Sequence, residues 1–589
     1  MLTKRRSSIV PLAVAVILGV AGVGGVRMRR SGPPAPVAEH ATTARITAGG
    51  SLTASVRAEP RSFNRLVAHD ATSELVSVLT NAKLVRIDRR TQDWEPWLAE
   101  DVTALDETTY TLRLRDGVRF SDGRPLTSAD VVFSFRAVYD EATASPLAET
   151  LRIDGRPLEV SAPDDRTVIV RFPSPFGPGP RLLDNLPILP RHVLESALEA
   201  GTLHAAWGLS TPPSEIVGLG PFVLDAYEPG QRLVFARNPH YWLRDDEGRP
   251  LPYLDRLVVE IVPEQNAEML RLEAGDVDLI ASEIRAEDYV AVRRAAGEGR
   301  LQLVDLGVGL DPSFLWFNLN PEAKRDDPRH AWLQSRELRR AISVGVDRAG
   351  FADTVYLGAG VPVFGPVTPA NKQWYSASVP TDAFDRSRAR ALLAEVGLED
   401  RNADGMLEDA TGADARFSLL TQKGHTARER GAAVVQEDLR ALGIQVDVVA
   451  LEPGALFDRF ARADYDAMYF AMLASDTDPA VNHDFWLSSG SFHVWHPNQE
   501  VAATEWERRI DELMLAQAAT VDQAERRRLF DEVQTIFARE LPAIYFVAPR
   551  VFVAMGQRVA NASPVVLRPQ VLWDAEHLAV RQAVGSLTN

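Results

Sequence analysis

Hydrophobic and polar positions alternate in two different periods along the chain, and together they predict a mixed α/β protein. Residues 52–56 and 110–114 alternate between apolar and polar side chains, so each is predicted to be a half-buried strand. Residues 127–138 instead place apolar side chains at helical spacing. Thr127 and Asp130 have the spacing of a capping box, which predicts that a helix begins there.

The carboxyl-terminal half alternates predicted helices and strands. Helices are predicted at 426–441 and 455–463, and strands are predicted to begin at Ile444 and Asp466. This order favours an α/β unit in which part of the sheet is parallel. Further helices are predicted at 73–79, 386–396, 504–517 and 522–539.

The amino-terminal residues have the charge-then-apolar order of an export signal. Basic residues at 4–6 precede an apolar run at 9–26, so export is predicted. The run is longer than the roughly 7 to 15 residues of a signal core, and arginines follow it. Residues 1–30 are therefore interpreted as either a signal peptide or an uncleaved membrane anchor. Residues 31–45, rich in Pro and Ala, are predicted to be a tether, with the fold beginning near Ile46.

Composition narrows the function classes. The 589 residues are 46% hydrophobic, which is ordinary for a globular protein, and carry a formal net charge of -17. An acidic chain is a poor match for nucleic acid, whose binding rests on Lys and Arg. The absence of cysteine excludes disulfides, Cys-based zinc sites and thiol catalysis. The common hydrolase and nucleotide-binding motifs are absent, and the nearest approach to a nucleophile elbow, at Ser343, lies in a helical pattern, so an enzyme is not predicted.

Residues 94–135 carry a family resemblance. The segment contains ordered blocks formed by Pro96, Leu98, Ala99, Glu100, Thr111, Leu114, Arg115, Gly117, Val118, Phe120, Asp122, Gly123, Thr127, Asp130 and Val131. Further blocks begin at Gly218, Phe317 and Ser335. In these blocks the chain resembles the bacterial extracellular solute-binding proteins of family 5, which bind peptides, dipeptides or nickel. The resemblance covers nearly everything from about residue 50 to the end.

The resemblance implies a two-lobed periplasmic-binding-protein-like α/β fold with mixed sheets and a hinge. Closure of two lobes around a solute is a hinge motion. The first lobe is expected to be discontinuous, built from 46–88, 218–308 and 541–589. A family-specific domain is expected to be inserted at 89–217, and the second lobe is expected at 309–540.

The resemblance also implies a function. The chain is expected to be the receptor of an ABC importer that captures di- and oligopeptides outside the cytoplasmic membrane and delivers them to a membrane permease, with energy from a partner ATPase. Because a scaffold does not specify its solute, a nickel, haem or sugar ligand is an alternative. A membrane-tethered sensory binding protein is another, and an enzyme ranks third.

Asp476 is the main candidate ligand contact. It follows an apolar strand and precedes Asp478, and strand ends in α/β lobes are where ligands bind. In peptide-binding relatives an aspartate in a similar segment receives the ligand's α-amino group, and the resemblance implies that role for Asp476, although the spacing to Asp-Pro is shortened. The alternative for both aspartates is a turn-forming role.

The remaining candidate contacts are of three kinds. Backbone groups that are expected to pair with an extended peptide as an added strand belong to Met472, Ala474 and Ser475. Aromatic residues that are as often core as pocket wall are Phe63, Trp374, Tyr375 and Trp495. Polar residues in blocks that approach the cleft in relatives are Asn64, Thr72 and Asn318. Lys83 stands where relatives often have a glycine, and it either fills part of the pocket or points to solvent.

One acidic segment resembles a calcium loop. Asp400, Asn402 and Asp404 occupy its first, third and fifth positions and Gly405 the sixth, but Thr411 replaces the bidentate glutamate. The segment is interpreted as an acidic turn, with Ca²⁺ as the alternative, and no other cofactor is predicted. A second metal-like pattern, interpreted as packing and not as a transition-metal site, is formed by His483, His493 and His496.

Overall fold

The computed structural model describes residues 46–281, 283–471 and 476–581, all of which lie within one compact unit. The predicted signal or anchor at 1–30 and the tether at 31–45 lie outside the described residues, as do Met472, Ala474 and Ser475. In the part of the chain that is described, no helix combines the length and apolar character needed to span a membrane.

The strands alternate with helices along the described chain. The first ten strands are β1 (Ile46–Thr47), β2 (Ser51–Val56), β3 (Val85–Asp88), β4 (Asp93–Pro96), β5 (Ala99–Ala104), β6 (Thr109–Leu114), β7 (Arg152–Ile153), β8 (Arg156–Pro157), β9 (Glu159–Asp164) and β10 (Thr167–Arg171). The next seven are β11 (Phe222–Glu228), β12 (Arg232–Arg237), β13 (Arg256–Ile261), β14 (Leu279–Ile280), β15 (Leu301–Val308), β16 (Ser313–Phe317) and β17 (Gly360–Pro362). The last seven are β18 (Arg416–Gln422), β19 (Gln445–Leu451), β20 (Ala467–Ala471), β21 (Ala543–Tyr545), β22 (Val547–Gly556), β23 (Val559–Ala560) and β24 (Ala579–Arg581).

The described chain contains seven α-helices that the sequence predicted and eight further ones. The first seven are α1 (Ala71–Thr80), α2 (Ser128–Tyr139), α3 (Leu147–Thr150), α4 (Arg191–Glu199), α5 (Gln265–Ala274), α6 (Ala286–Gly297) and α7 (His330–Leu333). The others are α8 (Arg336–Gly345), α9 (Arg348–Tyr356), α10 (Arg386–Glu395), α11 (Thr426–Arg440), α12 (Pro453–Ala461), α13 (His483–Trp486), α14 (Glu505–Ala519) and α15 (Gln523–Glu540). The seven predicted helical segments are present to within a few residues as α1, α2, α10, α11, α12, α14 and α15.

Three sheets organise the fold. An eight-stranded sheet has the order β11-β12-β13-β2-β14-β22-β15, with β17 paired to β22, and a five-stranded sheet has the order β19-β18-β20-β16-β21. A four-stranded sheet, β5-β6-β10-β9, lies in sequence between β2 and β11 of the eight-stranded sheet. Strand β18 pairs in parallel with β19 and β20, which confirms the partly parallel sheet predicted for the carboxyl-terminal half. Strand β2 likewise pairs in parallel with β13 and β14.

The chain passes between the two larger sheets along two neighbouring links. Strand β15 of the larger sheet leads through residues 309–312 into β16 of the smaller one, and β21 leads through Phe546 back into β22. The Phe546 N–H donates to the Ser313 carbonyl at 2.9 Å, and the Gly309 N–H donates to the Pro549 carbonyl at 2.7 Å. The two links therefore run side by side. The predicted domain boundaries themselves are not tested by this topology and stay predictions.

Strand β16 shows why residues 314–317 are all apolar. Leu315 and Phe317 pack into one buried cluster, while Phe314 and Trp316 pack into another. Successive side chains of a strand point to opposite faces, so a strand covered on both faces has no polar positions left. The five-stranded sheet is thus enclosed by two apolar cores.

Close backbone contacts place the end of α1 against the segment before β11. A Cβ on Gly218 would lie 1.9 Å from the Thr80 carbonyl oxygen, and one on Gly220 would lie 2.5 Å from the Leu79 carbonyl oxygen. Only glycine permits such an approach. The same approach holds Asn81, which follows α1, at the wall of a cavity beside β3 and β4.

Candidate functional site

Asp476 lies where the segment around Arg181 meets the segment that follows β20. Asp476 Oδ1 accepts hydrogen bonds from Arg181 Nη2 at 2.7 Å and from Arg181 Nε at 3.1 Å. Arg181 also donates to Thr477 Oγ1 at 2.8 Å and to the Gln92 carbonyl at 2.8 Å. The Arg181 and Asp476 side chains are only 9% and 15% exposed. The candidate amine anchor therefore has a cationic partner supplied by the protein itself.

Arg181 stays charged in this setting. Burial by itself lowers the pKa of Arg181, but the adjacent Asp476 carboxylate, with help from Asp478 and Asp184, raises it above its ordinary value. Charge-assisted hydrogen bonds of this kind are roughly twice as strong as neutral ones. The pair is a strong electrostatic contact between two distant parts of the chain.

The backbone that follows Asp476 forms a hydrogen-bonded turn. Asp476 Oδ1 accepts a hydrogen bond from the Asp478 N–H at 2.8 Å, and the Asp476 carbonyl accepts one from Asn482 Nδ2 at 2.7 Å. An aspartate that bonds to the backbone two residues on is a common turn-forming arrangement. Asp476 thus has the turn geometry that the sequence allowed, and its role as an amine anchor stays a prediction.

A second set of contacts joins the β3–β4 turn to residues 370–372. Gln92 Nε2 donates to the Ala370 carbonyl at 2.8 Å, and Gln92 Oε1 accepts from the Lys372 N–H at 2.9 Å. Lys372 Nζ donates to the Arg90 carbonyl at 2.6 Å. Gln92 is buried and has a φ of 66°, a left-handed conformation that is uncommon for a residue other than glycine. Observed backbone outliers of this kind cluster at ligand clamps and switch regions.

Asp478 has a different environment from Asp476. Its carboxylate accepts a hydrogen bond from Arg526 Nη2 at 2.6 Å, with the two side chains 5% and 2% exposed. Asp478 Oδ1 also accepts from the Ala480 N–H at 3.0 Å. The Arg526 guanidinium lies 4.8 Å from the centre of the Trp374 ring. Asp478 and Trp374 therefore both contact Arg526 in one buried cluster. A ligand role for either residue stays a prediction.

Two other candidate aromatics are core residues. Phe63 packs edge-on against Tyr227 at 5.4 Å, and Trp495 is fully buried and donates to Glu507 Oε1 at 3.1 Å. Tyr375 is partly exposed. Of the two interpretations that the sequence left open for these aromatics, the structure favours the core for Phe63 and Trp495.

The three candidate polar residues all bond to backbone. Asn64 Nδ2 donates to the Leu203 carbonyl at 2.9 Å, Thr72 Oγ1 to the Ala58 carbonyl at 2.9 Å, and Asn318 Nδ2 to the Ala463 carbonyl at 2.8 Å. All three side chains are buried. Buried polar groups need such partners because an unmade hydrogen bond costs about 1–3 kcal/mol. These residues hold loops in place, and the structure does not bring them into contact with Asp476.

The acidic segment has part of the arrangement expected for a cation loop. Carboxylate oxygens of Asp400, Asp404 and Glu408 lie within 4.8 Å of one another. Asn402 Nδ2 donates to Asp404 Oδ2 at 3.0 Å, and the Gly405 N–H donates to Asp400 Oδ2 at 3.0 Å. These bonds are also those of an acidic turn, and Ca²⁺ binding stays a prediction. Among the described residues, no such cluster includes His483, His493 or His496.

A cavity that the sequence did not indicate lies beside the β3–β4 hairpin. Its walls include Asn81, Lys83, Arg86 and Arg89 and the indole of Trp573. Lys83, which the sequence left as either pocket-filling or solvent-facing, lines this cavity. Nothing in the local pattern marks Arg86, Arg89 or Arg181 as special, because arginines are mostly surface residues.

The chain matches known solute-binding proteins over most of its length. The family described as "Bacterial extracellular solute-binding proteins, family 5 Middle" matches residues 93–493. The chain is 25% identical to the oligopeptide-binding protein AppA of Bacillus subtilis over 94% of this chain and 96% of that protein. It is 27% identical to di/tripeptide-binding protein 2 of Pseudomonas aeruginosa over 79% and 83% of the two chains.

A solved structure shows the same fold. The structure of AppA from Bacillus subtilis in complex with a nonapeptide superposes with a TM-score of 0.65 and 25% identity, over 91% of this chain and 100% of that one. The two-lobed α/β fold with mixed sheets, predicted from the sequence, is thereby confirmed. By the family match and by the fold, this chain belongs to the bacterial extracellular solute-binding proteins of family 5, a family of substrate-binding receptors.

Proposed function

We propose that this protein is the receptor of an ABC importer that captures di- and oligopeptides between its two lobes and delivers them to a membrane permease. Membership of a receptor family supports the binding role. Relatives that are named for oligopeptides and for di- and tripeptides, and that align over most of their own length, support a peptide as the solute. The protein then binds its solute without converting it, and a partner ATPase supplies the energy of transport.

The arrangement of hydrogen bonds at Asp476 carries the proposal. The four hydrogen bonds that described residues make to this carboxylate all go to Oδ1. A carboxylate offers about four lone-pair sites on two oxygens, so Oδ2 keeps its capacity for a ligand ammonium. The α-amino group of a peptide is such an ammonium. The Arg181 pair and the turn hold the carboxylate in one orientation, which lowers the entropy lost on binding.

Contacts on both sides of Arg181 support closure around the solute. Arg181 and Gln92 belong to the predicted inserted domain, whereas Asp476, Ala370 and Lys372 belong to the predicted second lobe. Contacts that exist only when two lobes are shut favour the shut state, and a solute that adds its own contacts favours it further. We expect these bonds to break on opening.

The location follows from the same family. Extracellular solute-binding proteins act outside the cytoplasmic membrane, and we propose a periplasmic or other extracytoplasmic location, with residues 1–30 either removed as a signal peptide or kept as an anchor. A kept anchor also suits the alternative of a tethered sensory protein. A nickel, haem or sugar ligand is the alternative on the same scaffold.

Native mass spectrometry of the exported protein, followed by release of whatever co-purifies, tests the proposal. We expect a mixture of short peptides with wild-type protein and their loss with Asp476→Ala. Asp484→Ala, which removes an exposed carboxylate from the following helix, is the matched control and is expected to retain them. Recovery of only haem, nickel or a sugar would overturn the peptide assignment, and peptides retained by Asp476→Ala would overturn the amine anchor.

A further inference from the structure

The cavity beside the β3–β4 hairpin contains more positive than negative charge. Its lining includes three cationic side chains, Lys83, Arg86 and Arg89, against two carboxylates, Asp184 and Glu576. With all five ionised the lining has a net charge of +1. Burial raises the pKa of Glu576, although Arg86 opposes this, so protonation of Glu576 would only make the cavity more positive. The cavity therefore favours an anion.

The two carboxylates already have partners within the protein. Lys83 Nζ lies 3.2 Å from Asp184 Oδ2, and Arg86 Nη1 lies 2.9 Å from Glu576 Oε1. Arg86 is further held by Glu95 at 2.9 Å and by the Trp97 ring, whose centre lies 3.4 Å from the guanidinium carbon. These two cations are structural parts of the wall.

Arg89 is left over. It is partly buried and lines the cavity, yet among the described residues it makes neither an ion pair nor a side-chain hydrogen bond. Burial lowers the pKa of Arg89, and the attraction of Asp184, Glu74 and Asp476 opposes this only in part. An arginine nevertheless remains protonated in proteins. A desolvated guanidinium with five donors and no acceptor is energetically unfavourable until an anion arrives.

A second polar group in the same wall lacks a partner. The Asn81 side-chain oxygen is buried without a hydrogen-bond donor in the described part of the chain. Buried polar groups are normally satisfied, so each exception calls for an explanation. A ligand group that combines a carboxylate with an N–H would satisfy both Arg89 and Asn81. The carboxyl-terminal residue of a peptide is such a group.

We propose that this cavity is an anion subsite of the solute site, in which the Arg89 guanidinium binds a carboxylate of the peptide, either its carboxyl terminus or an acidic side chain. The inference rests on the proposed peptide-binding function. Asp184 of the cavity wall and Arg181, which donates to Asp476, belong to the same short helix at Gly179–Asn185, so the cavity lies beside the proposed amine anchor. Lys83 lines the same cavity and is paired with Asp184, which leaves Arg89 as the cation available to a carboxylate.

Three peptide libraries test the subsite, with the exported full-length protein immobilised and the retained peptides identified by mass spectrometry. One library has free carboxyl termini and another is amidated, and both lack Asp and Glu. A third, amidated library contains one Glu per peptide. Wild-type protein, Arg89→Met and Arg90→Met are compared. Arg90 is the matched control because it lies on the same turn but is exposed and bonded to Asp88 at 2.8 Å by its N–H.

We expect wild-type protein and Arg90→Met to prefer a carboxylate-bearing library over the amidated, acid-free one by roughly 10- to 100-fold, the range for a charge-assisted bond. Arg89→Met should lose that preference. Preference for free termini identifies the carboxyl terminus as the source, and preference for the Glu library identifies a side chain. Two results would overturn the subsite alone. One is that wild-type protein retains the acid-free amidated library as well as the two carboxylate-bearing libraries. The other is that Arg89→Met keeps the wild-type preference for carboxylate-bearing peptides. Failure of wild-type protein to retain peptides from all three libraries would overturn the proposed function and the subsite with it.

Discussion

Arg181 and Asp476 form an ion pair between residues 295 positions apart, through two hydrogen bonds to the same carboxylate oxygen. The pair joins the predicted inserted domain to the predicted second lobe, and it orients the carboxylate that is proposed to receive the peptide amine. Asp476 is therefore expected to take part both in closure of the lobes and in recognition of the ligand. An interaction made by the shut state contributes to both its population and its affinity for ligand.

Replacement of Arg181 tests the coupling. Arg181→Met removes the pair and is expected to shift the ligand-free protein toward an open form, seen as an increased radius of gyration in small-angle X-ray scattering. Peptide affinity should fall about 10- to 100-fold, since a hydrogen bond to a charged group contributes about 1.5–3 kcal/mol. Arg171→Met, an exposed arginine on β10, should change neither quantity. An unchanged radius of gyration and affinity in Arg181→Met would contradict the role of this pair.

The buried Asp478–Arg526 pair is expected to be a stability element of the second lobe. Arg526→Met leaves the Asp478 carboxylate buried without its cation, which should lower the free energy of unfolding by about 3–5 kcal/mol. Urea denaturation measures the change. Arg528→Met, on the same helix but at its exposed face beside Glu525, should leave the unfolding midpoint almost unchanged. Equal midpoints for the two variants would refute this assignment.

Asp311, in the link between β15 and β16, is expected to make stability depend on pH. Burial and the nearby Glu283 carboxylate raise the pKa of Asp311 to about 6, and its Oδ1 is buried without a partner in the described residues. The folded protein then holds this proton more tightly than the unfolded chain does. Stability is lost as pH rises from the unfolded pKa near 4 through the folded pKa near 6.

Asp311→Asn should remove that loss. We expect the variant to have a higher melting temperature and a larger free energy of unfolding than wild type at pH 7.5. Two pKa units limit the gain in free energy to on the order of 3 kcal/mol. At pH 4 the two proteins should differ little. Calorimetry at both pH values measures the effect. A variant that is less stable at pH 7.5 than wild type would show that the ionised carboxylate is stabilising.

Arg89 and Lys83 should differ in their effect on the ligand-free protein. Arg89→Met removes a partly buried cation that has no ion pair among the described residues, so the melting temperature should stay the same or rise. Lys83→Met breaks the pair with Asp184 and should lower it. With a saturating peptide, the melting temperature of Arg89→Met should rise less than that of wild-type protein, because the variant binds the peptide more weakly and gains less stability from it. Destabilisation of the ligand-free protein by Arg89→Met would mean that this arginine has an internal partner.

The local structure and the family were accessible from the sequence alone. The helix at 127–138 is present as α2, with the Thr127 N–H donating to Asp130 Oδ2 at 2.9 Å. The alternation after residue 426 is present as α11, β19, α12 and β20. Such features depend on side-chain periodicity and on groups three or four residues apart, so neighbouring residues are enough to specify them. The ordered blocks from 94 to 135 similarly pointed to the correct receptor family.

The partners of the charged groups were decided only by the tertiary structure. The sequence indicated the same two possible roles for Asp476 and Asp478, but the fold gives their carboxylates different partners. Asp476 pairs with Arg181, which comes from a distant segment, and Asp478 is buried against Arg526. The fold also leaves Arg89 without an ion pair in the described chain, while Lys83 and Arg86 on the same wall are paired. Whether a charge is neutralised depends on distance and burial, which residues hundreds of positions apart acquire only when the chain has folded.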